Sequence, residues 1–276
     1  MAMPLKGRQV DVVMEILGEL LENPPPLLTK WKNAANQVIC KPPQPKSSPI
    51  RTISVIIPAH NEERYLRRTL ESLRRQNYDW FEVIVVANGC TDCTAEVAKG
   101  RCNRLVTLSQ KSLGVARNLG ARLAKGELLL FLDADTVLEP MTLRMIAEHF
   151  SRNNSAGTIR GRPDPERFKY RLVYGLKNFV HRFSLHRGSS GVILCWKKHF
   201  IGMGGFDEGL EVRENSELMR RLARFGKYKY IHEVVATTSM RRYDQQGCGR
   251  VIWLWVKLWF RSIFGDLHNR HYETVR

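Results

Sequence analysis

Along the middle of the chain, short apolar runs alternate with amphipathic stretches and polar breaks. Ile53-Ser-Val-Ile-Ile57, Glu82-Val-Ile-Val-Val86, Leu105-Val-Thr-Leu108 and Leu128-Leu-Leu-Phe-Leu132 are near-continuous apolar runs of four or five residues. That pattern predicts strands buried on both faces, as in a parallel sheet. Between the first two, Leu66, Leu70 and Leu73 recur at helical spacing behind acidic first-turn residues that suit a helix N-terminus. Thr94 to Lys99 reads as a second helix that Thr91 or Asp92 can cap. Gly114 to Ala124 reads as a third, with two glycines where backbone can approach closely, ended by Gly126. Strand, helix and short connection repeat in the order of a doubly wound α/β sheet covered on both faces. Further on, Tyr174 to His186 is helix-like, and Gly188 to Cys195 and Tyr228 to Ile231 read as strands.

The two ends have another character. In residues 1–50, Val10, Val13, Met14, Ile16, Leu17, Leu20 and Leu21 recur at helical spacing that Pro24-Pro25-Pro26 stops. A second short helix over Leu27 to Ile39 and an extended linker from Lys41 to Pro49 follow. The expected core domain is 51–242, leaving 243–276 as a C-terminal amphipathic helix and tail. In Arg250 to Phe264 the cations Arg250, Lys257 and Arg261 form one stripe among Trp253, Trp255, Trp259 and other apolar residues. Such a helix suits either a membrane interface or packing against the domain.

Charge narrows the partners. The 276 residues carry 44 Lys+Arg against 27 Asp+Glu, a formal +17. That suits an anionic partner (a nucleotide, a phosphorylated lipid, an anionic membrane surface or nucleic acid) or merely a solubilising surface, and charge alone does not choose. Basic residues concentrate from Arg160 to Lys198, interleaved with aromatics, where contact with an acceptor or a membrane surface is more economical than nucleic acid. Six cysteines without a completed metal pattern and no leader segment lead us to expect a cytoplasmic protein, peripheral on a membrane if bound to one. No apolar run reaches the ~18 residues that span a bilayer.

The chemistry concentrates at Asp133-Ala-Asp135, directly after the fourth apolar run. Open α/β sheets bind ligands at the carboxyl ends of their strands. Two carboxylates so close repel each other unless a cation lies between them. Oxygen ligands suit Mn²⁺ or Mg²⁺, which also bind phosphate oxygens. An acidic turn with one solvated and one capping Asp is the plainer alternative.

The runs Val55 to Glu63, Val83 to Thr94, Gly114-Val-Ala-Arg-Asn-Leu-Gly120 and Gly126 to Thr136 come in order. With Gly205-Phe-Asp-Glu208 and Glu214-Asn-Ser-Glu-Leu-Met-Arg-Arg-Leu222, they resemble the family 2 glycosyltransferases of GT-A fold. The resemblance spans Thr52 to Arg242. It implies a nucleotide-diphospho-sugar donor, an acceptor it does not identify, and inversion at the anomeric carbon. Pro58, Ala59 and Glu62 would line the nucleoside pocket, with Asn88 and Asp92 along the end of the second strand. Arg117 would reach the nucleotide or steady the carboxylates, with a plain surface position on its helix as the alternative, and Asp133 and Asp135 would hold the metal. In some relatives a late His completes that site, which here would be His232; a packed strand histidine is the alternative. Two positions depart from the family pattern. Ala87 stands where an acidic nucleobase ligand is common. Asn215 stands where an Asp usually serves as general base, and an amide cannot accept that proton. Three readings follow: Glu214 or Glu217, three apart on one helix face, is the base; the acceptor is a polyprenyl phosphate already ionised; or only binding survives.

Overall fold

In a computed structural model, the described residues are 51–184, 191–210, 214–250 and 253. The helices and linker expected over 1–50, and nearly all of the C-terminal helix, lie outside them. The order is β1 (Ile53–Ala59), α1 (Glu63–Arg74), β2 (Phe81–Asn88), α2 (Thr94–Ala98), β3 (Arg104–Leu108), α3 (Leu113–Leu123), β4 (Leu128–Leu132) and β5 (Thr136–Leu138). Then come α4 (Thr142–His149), β6 (Asn154–Asp164), α5 (Phe168–Arg182), β7 (Val192–Trp196), α6 (Lys197–Gly202), α7 (Glu214–Leu222), β8 (Lys227–Ser239) and α8 (Arg241–Gln246).

One eight-stranded sheet runs β3-β2-β1-β4-β7-β6-β8-β5. Its first four strands are mutually parallel, with Ile53 in register with both Phe81 and Leu128. The second half is mixed: β7 is antiparallel to β4 and β6, β8 is parallel to β6, and β5 is antiparallel to β8. The fold is therefore the expected mostly parallel α/β sheet, with antiparallel strands joined to one side.

Strand alternation splits the core in two. Ile53, Val55 and Ile57 face Leu66, Leu70 and Leu73 of α1 and Leu143 and Ile146 of α4. Ile56, Ile84, Leu129 and Phe131 face Ala116 and Ala121 of α3, Phe200 of α6 and Leu218 and Leu222 of α7. Each fully buried Ile or Leu contributes roughly 1.5–3 kcal/mol. The apolar runs were continuous because both faces of these strands are covered. A smaller cluster of Tyr170, Tyr174, Met240 and Tyr243 joins α5 to α8 across the carboxyl end of the sheet. No helix among the described residues is long and apolar enough to cross a membrane.

Candidate active site

The loops after β1, β2 and β4 meet at one edge of the sheet, and short polar side chains tie them together. Asn61 and Thr91 exchange hydrogen bonds of 2.8 and 2.9 Å. Asp92 accepts from the Glu63 N–H and from both the amide and hydroxyl of Thr94. Burial opposes the charge on Asp92, but the hydrogen bonds from Thr94 and Glu63 outweigh it and hold the carboxyl below its ordinary range. Asn88 is buried; its Oδ1 accepts from the Ser112 N–H at 2.8 Å, and its carbonyl meets His60 Nδ1 at 2.6 Å. Asn88 and Asp92 thus brace the loops that form the floor. Pro58 and Ala59 are the buried last residues of β1, and Ala87 beside them is buried with no polar side-chain atom to offer.

The helix α3 explains the Gly114-to-Gly120 motif residue by residue. Gly120 lies so close to the sheet that a Cβ there would sit 2.4 Å from Ile56 Cγ2. Asn118 clamps the Gly205-Phe-Asp-Glu208 segment. Its Nδ2 donates to the Phe206 carbonyl and to Glu208 Oε1, and its Oδ1 accepts the Phe206 N–H. Arg117 between them is only 3% exposed and stacks over the Phe206 ring at 4.9 Å. Its Nη1 donates to Glu214 Oε1 at 3.1 Å and Asn215 Oδ1 at 2.8 Å, and its Nη2 reaches Asp133 Oδ1 at 3.4 Å. One guanidinium therefore links the end of β4 to the start of α7. Arg117 is therefore no surface residue: it is buried and in contact with Asp133 and Glu214.

On the other side of the Asp pair stands Arg241, the first residue of α8. It grips Glu62 through both guanidinium nitrogens, lies 3.4 Å from Asp135 Oδ2 and stacks on Tyr65 at 4.5 Å. The backbone is held equally firmly. The Asp133 N–H donates to the Gly191 carbonyl, and the Ser239 N–H to that of Asp135. Gly191 has φ +86°, and a Cβ there would meet the paired hydroxyls of Thr136 and Thr238 at under 3 Å. Asp133 remains 43% exposed while Asp135 is 15% exposed. Burial first, then the charges of Asp133 and Glu62, push the Asp135 carboxyl up to about 7 despite Arg241. A carboxyl so raised is one that an added divalent cation would return to its charged form. The donors are all oxygens, which fits Mn²⁺ or Mg²⁺. Among the described residues no third His, Cys, Asp or Glu completes a protein-only cage, so the other ligands would be phosphate and water oxygens.

The structure does not bring His232 to this cluster. It lies in β8 next to Ile231, the partner of Ile159, whereas Thr238 and Ser239 at the far end of β8 neighbour the Asp pair. At ~3.3 Å per residue that separates them by roughly 20 Å. His232 is exposed beside Glu233, with Nδ1 3.4 Å from its carboxylate. Nor do Glu214 and Glu217 act alike. Glu214 turns to Arg117, while both oxygens of Glu217 are held at 2.6 Å by Arg221, which also donates to the carbonyls of Met203 and Gly205. Helical spacing gave them one face, but their partners separate them.

A family model, Glycosyl transferase family 2, matches residues 54–242, which contain every one of these groups. The chain belongs to glycosyl transferase family 2. Within the family it is 38% identical over 108 residues to validoxylamine A glucosyltransferase of Streptomyces hygroscopicus subsp. limoneus, covering 36% of this chain and 24% of that protein. It is 34% identical over 110 residues to the poly(ribitol-phosphate) beta-N-acetylglucosaminyltransferase TarS of Staphylococcus aureus (strain Mu50 / ATCC 700699), covering 37% and 19%. The chain thus spans about a quarter or less of these curated relatives' length. Among solved structures, S. aureus TarS 1-349 in complex with UDP-GlcNAc matches with TM-score 0.55 at 23% identity, over 69% of this chain and 59% of that one. The mannosyltransferase PcManGT from Pyrobaculum calidifontis, in complex with GDP-Man and Mn²⁺, matches with TM-score 0.58 at 20% identity, over 77% and 64%. Both share the GT-A fold of this family 2 chain.

Two groups at the site have no counterpart among the sequence expectations. Tyr174 of α5 is buried, hydrogen-bonds Thr238 and has its hydroxyl raised above the ordinary range by burial. One turn on, burial pushes the Lys177 ammonium down to about 8, against the pull of nearby Asp133 and with Arg242 adding to the fall. The i, i+3 spacing of Tyr174 and Lys177 on the inner face of α5 was the available signal.

Proposed function

We propose that the chain is a metal-dependent, inverting glycosyltransferase that moves a sugar from a nucleotide-diphospho-sugar to an acceptor hydroxyl. The reading rests on one observation: Asp133 and Asp135 meet at the carboxyl end of β4, 43 and 15% exposed, between the Arg117 and Arg241 guanidiniums. Asp133 and Asp135 would hold Mn²⁺ or Mg²⁺. Bound there, the ion would neutralise charge developing on the departing nucleoside diphosphate. Pro58, Ala59 and the loops braced by Asn88 and Asp92 form the wall for the nucleoside. Glu62, gripped by Arg241, fixes the α8 end of the site around the diphosphate. Arg117 orients Glu214 and Asn215 opposite the donor. The acceptor oxygen attacks the anomeric carbon from the face away from the diphosphate, and the Glu214 carboxylate takes its proton. Asn215, accepting from Arg117, contributes position and no proton transfer. The donor-bound complexes named for TarS and PcManGT support the choice of donor class.

A second reading, transfer to a polyprenyl phosphate at a membrane surface, is favoured by Asn215, because an ionised phosphate acceptor needs no base. Both readings meet the same test. The purified protein is offered UDP-, GDP- and TDP-sugars with Mn²⁺ or Mg²⁺, and thermal shift and donor turnover are measured together. One donor should stabilise and turn over only with metal, and Asp135→Ala should lose both. Glu214→Gln should keep the shift and lose at least about a hundredfold in turnover to a hydroxyl acceptor. Equal turnover in Glu214→Gln would move the assignment to the phosphate acceptor. Donor binding without turnover by any acceptor, lipid phosphate included, would leave a binding protein.

A further inference from the structure

One face of α5 is apolar and faces solvent. Phe168, Leu172, Leu176, Phe179 and Phe183 are 77, 37, 53, 41 and 47% exposed. At about 100° per residue they fall within roughly 80° of arc. The opposite side of the same helix carries Tyr170, Tyr174 and His181, all buried against the domain. Exposed Lys169 borders the stripe on one side and exposed Arg171 and Arg182 on the other. From residue 167 to 206 the chain holds eight Lys or Arg and no Asp or Glu. Five neighbouring exposed Phe and Leu side chains rimmed by cations make the kind of contiguous apolar patch that marks an interaction surface.

We propose that α5 docks this stripe into an anionic lipid bilayer, lying in the interface plane with Lys169, Arg171 and Arg182 at the headgroups. The flanking cations select the occupant. A second copy applied to the same face would set these cations against their equals, whereas an anionic surface pairs with them while the Phe and Leu side chains enter the acyl boundary. The inner face of the helix bears Tyr174 and Lys177 beside the Asp pair. Docking therefore brings the mouth of the site to within about one helix diameter, ~10 Å, of the lipid. The docking stands apart from the identity of the acceptor, but if the transferase reading holds it names the source: an acceptor borne in the bilayer.

The test is flotation of the full chain with phosphatidylcholine vesicles, with and without anionic phosphatidylglycerol. Wild type should float with the anionic vesicles and be released by salt. The double variant Leu176→Glu/Phe179→Glu should lose bound fraction by about tenfold or more, with an unchanged melting temperature and an unchanged donor thermal shift. Absence of flotation in the wild type would overturn the proposal. So would flotation of the double variant equal to wild type, which would assign binding to another segment such as residues 251–264. A concentration-dependent dimer that the same variant dissociates would hand the stripe to a second copy. Since neither Leu176 nor Phe179 touches the site, failure of docking and failure of the donor assay are read separately.

Discussion

Replacing Asp135 by Asn should stabilise the metal-free protein at alkaline pH. The folded chain holds this carboxyl at about 7 against an ordinary 3.8. At ~1.4 kcal/mol per pH unit, that gap corresponds to a penalty of about 4 kcal/mol once the group is ionised in both states. The sign follows from proton binding. Because the folded pKa is the higher one, the folded chain holds a proton that the unfolded chain has released, so stability falls as pH rises from about 4 to about 7 and stays low above. An amide has nearly the shape of the protonated acid and carries no charge, and it leaves the grip of Arg241 on Glu62 intact. Urea unfolding in the presence of a chelator should therefore find Asp135→Asn more stable than wild type at pH 8, by up to about 4 kcal/mol. At pH 5 the gain should shrink to less than about 2 kcal/mol. Adding Mn²⁺ should reverse the ranking at pH 8, because the charged form then has its partner. A variant no more stable than wild type at pH 8 under chelation would refute the charge-frustration argument and weaken the metal assignment.

Other expectations follow from contacts already described. Arg117→Lys keeps the charge but cannot span Asp133, Glu214 and Asn215 at once, so turnover should fall about tenfold to a hundredfold with little change in donor affinity. Gly120→Ala forces a methyl against Ile56 and should cost about 1–3 kcal/mol in denaturant unfolding, whereas Gly249→Ala, with open space around it, should not. His232→Ala should leave the metal requirement of the reaction unchanged; loss of metal dependence would restore that residue to the site.

The parallel half of the fold was legible because strands buried on both faces must be continuously apolar, as Leu128 to Leu132 is. The second half was harder for the converse reason. β6 reads Asn-Ser-Ala-Gly-Thr-Ile-Arg-Gly-Arg-Pro-Asp, hardly apolar, yet is mostly buried, and a register shift after Ile159 breaks its alternation. Asp133 and Asp135 were legible from an abrupt change of chemistry at a strand end. The role of Arg241 was not legible, because its partner Glu62 is 179 positions away and no local pattern encodes that distance. Glu214 and Glu217 were inseparable for a related cause: helical spacing says which residues share a side, while Arg117 and Arg221 decide what each one holds.

The clasp of Arg241 on Glu62 also sets an order of assembly. During synthesis the strands β1 to β4 emerge early and can pair while Asp135 has no cation to face. The clasp closes only when residue 241 has left the ribosome, by which time β5 to β8 exist to seat it. A nascent chain therefore carries an open clasp until β8 has been made, and the clasp and the finished sheet arrive together. The closed clasp is thus a local sign that every described strand of the sheet is present.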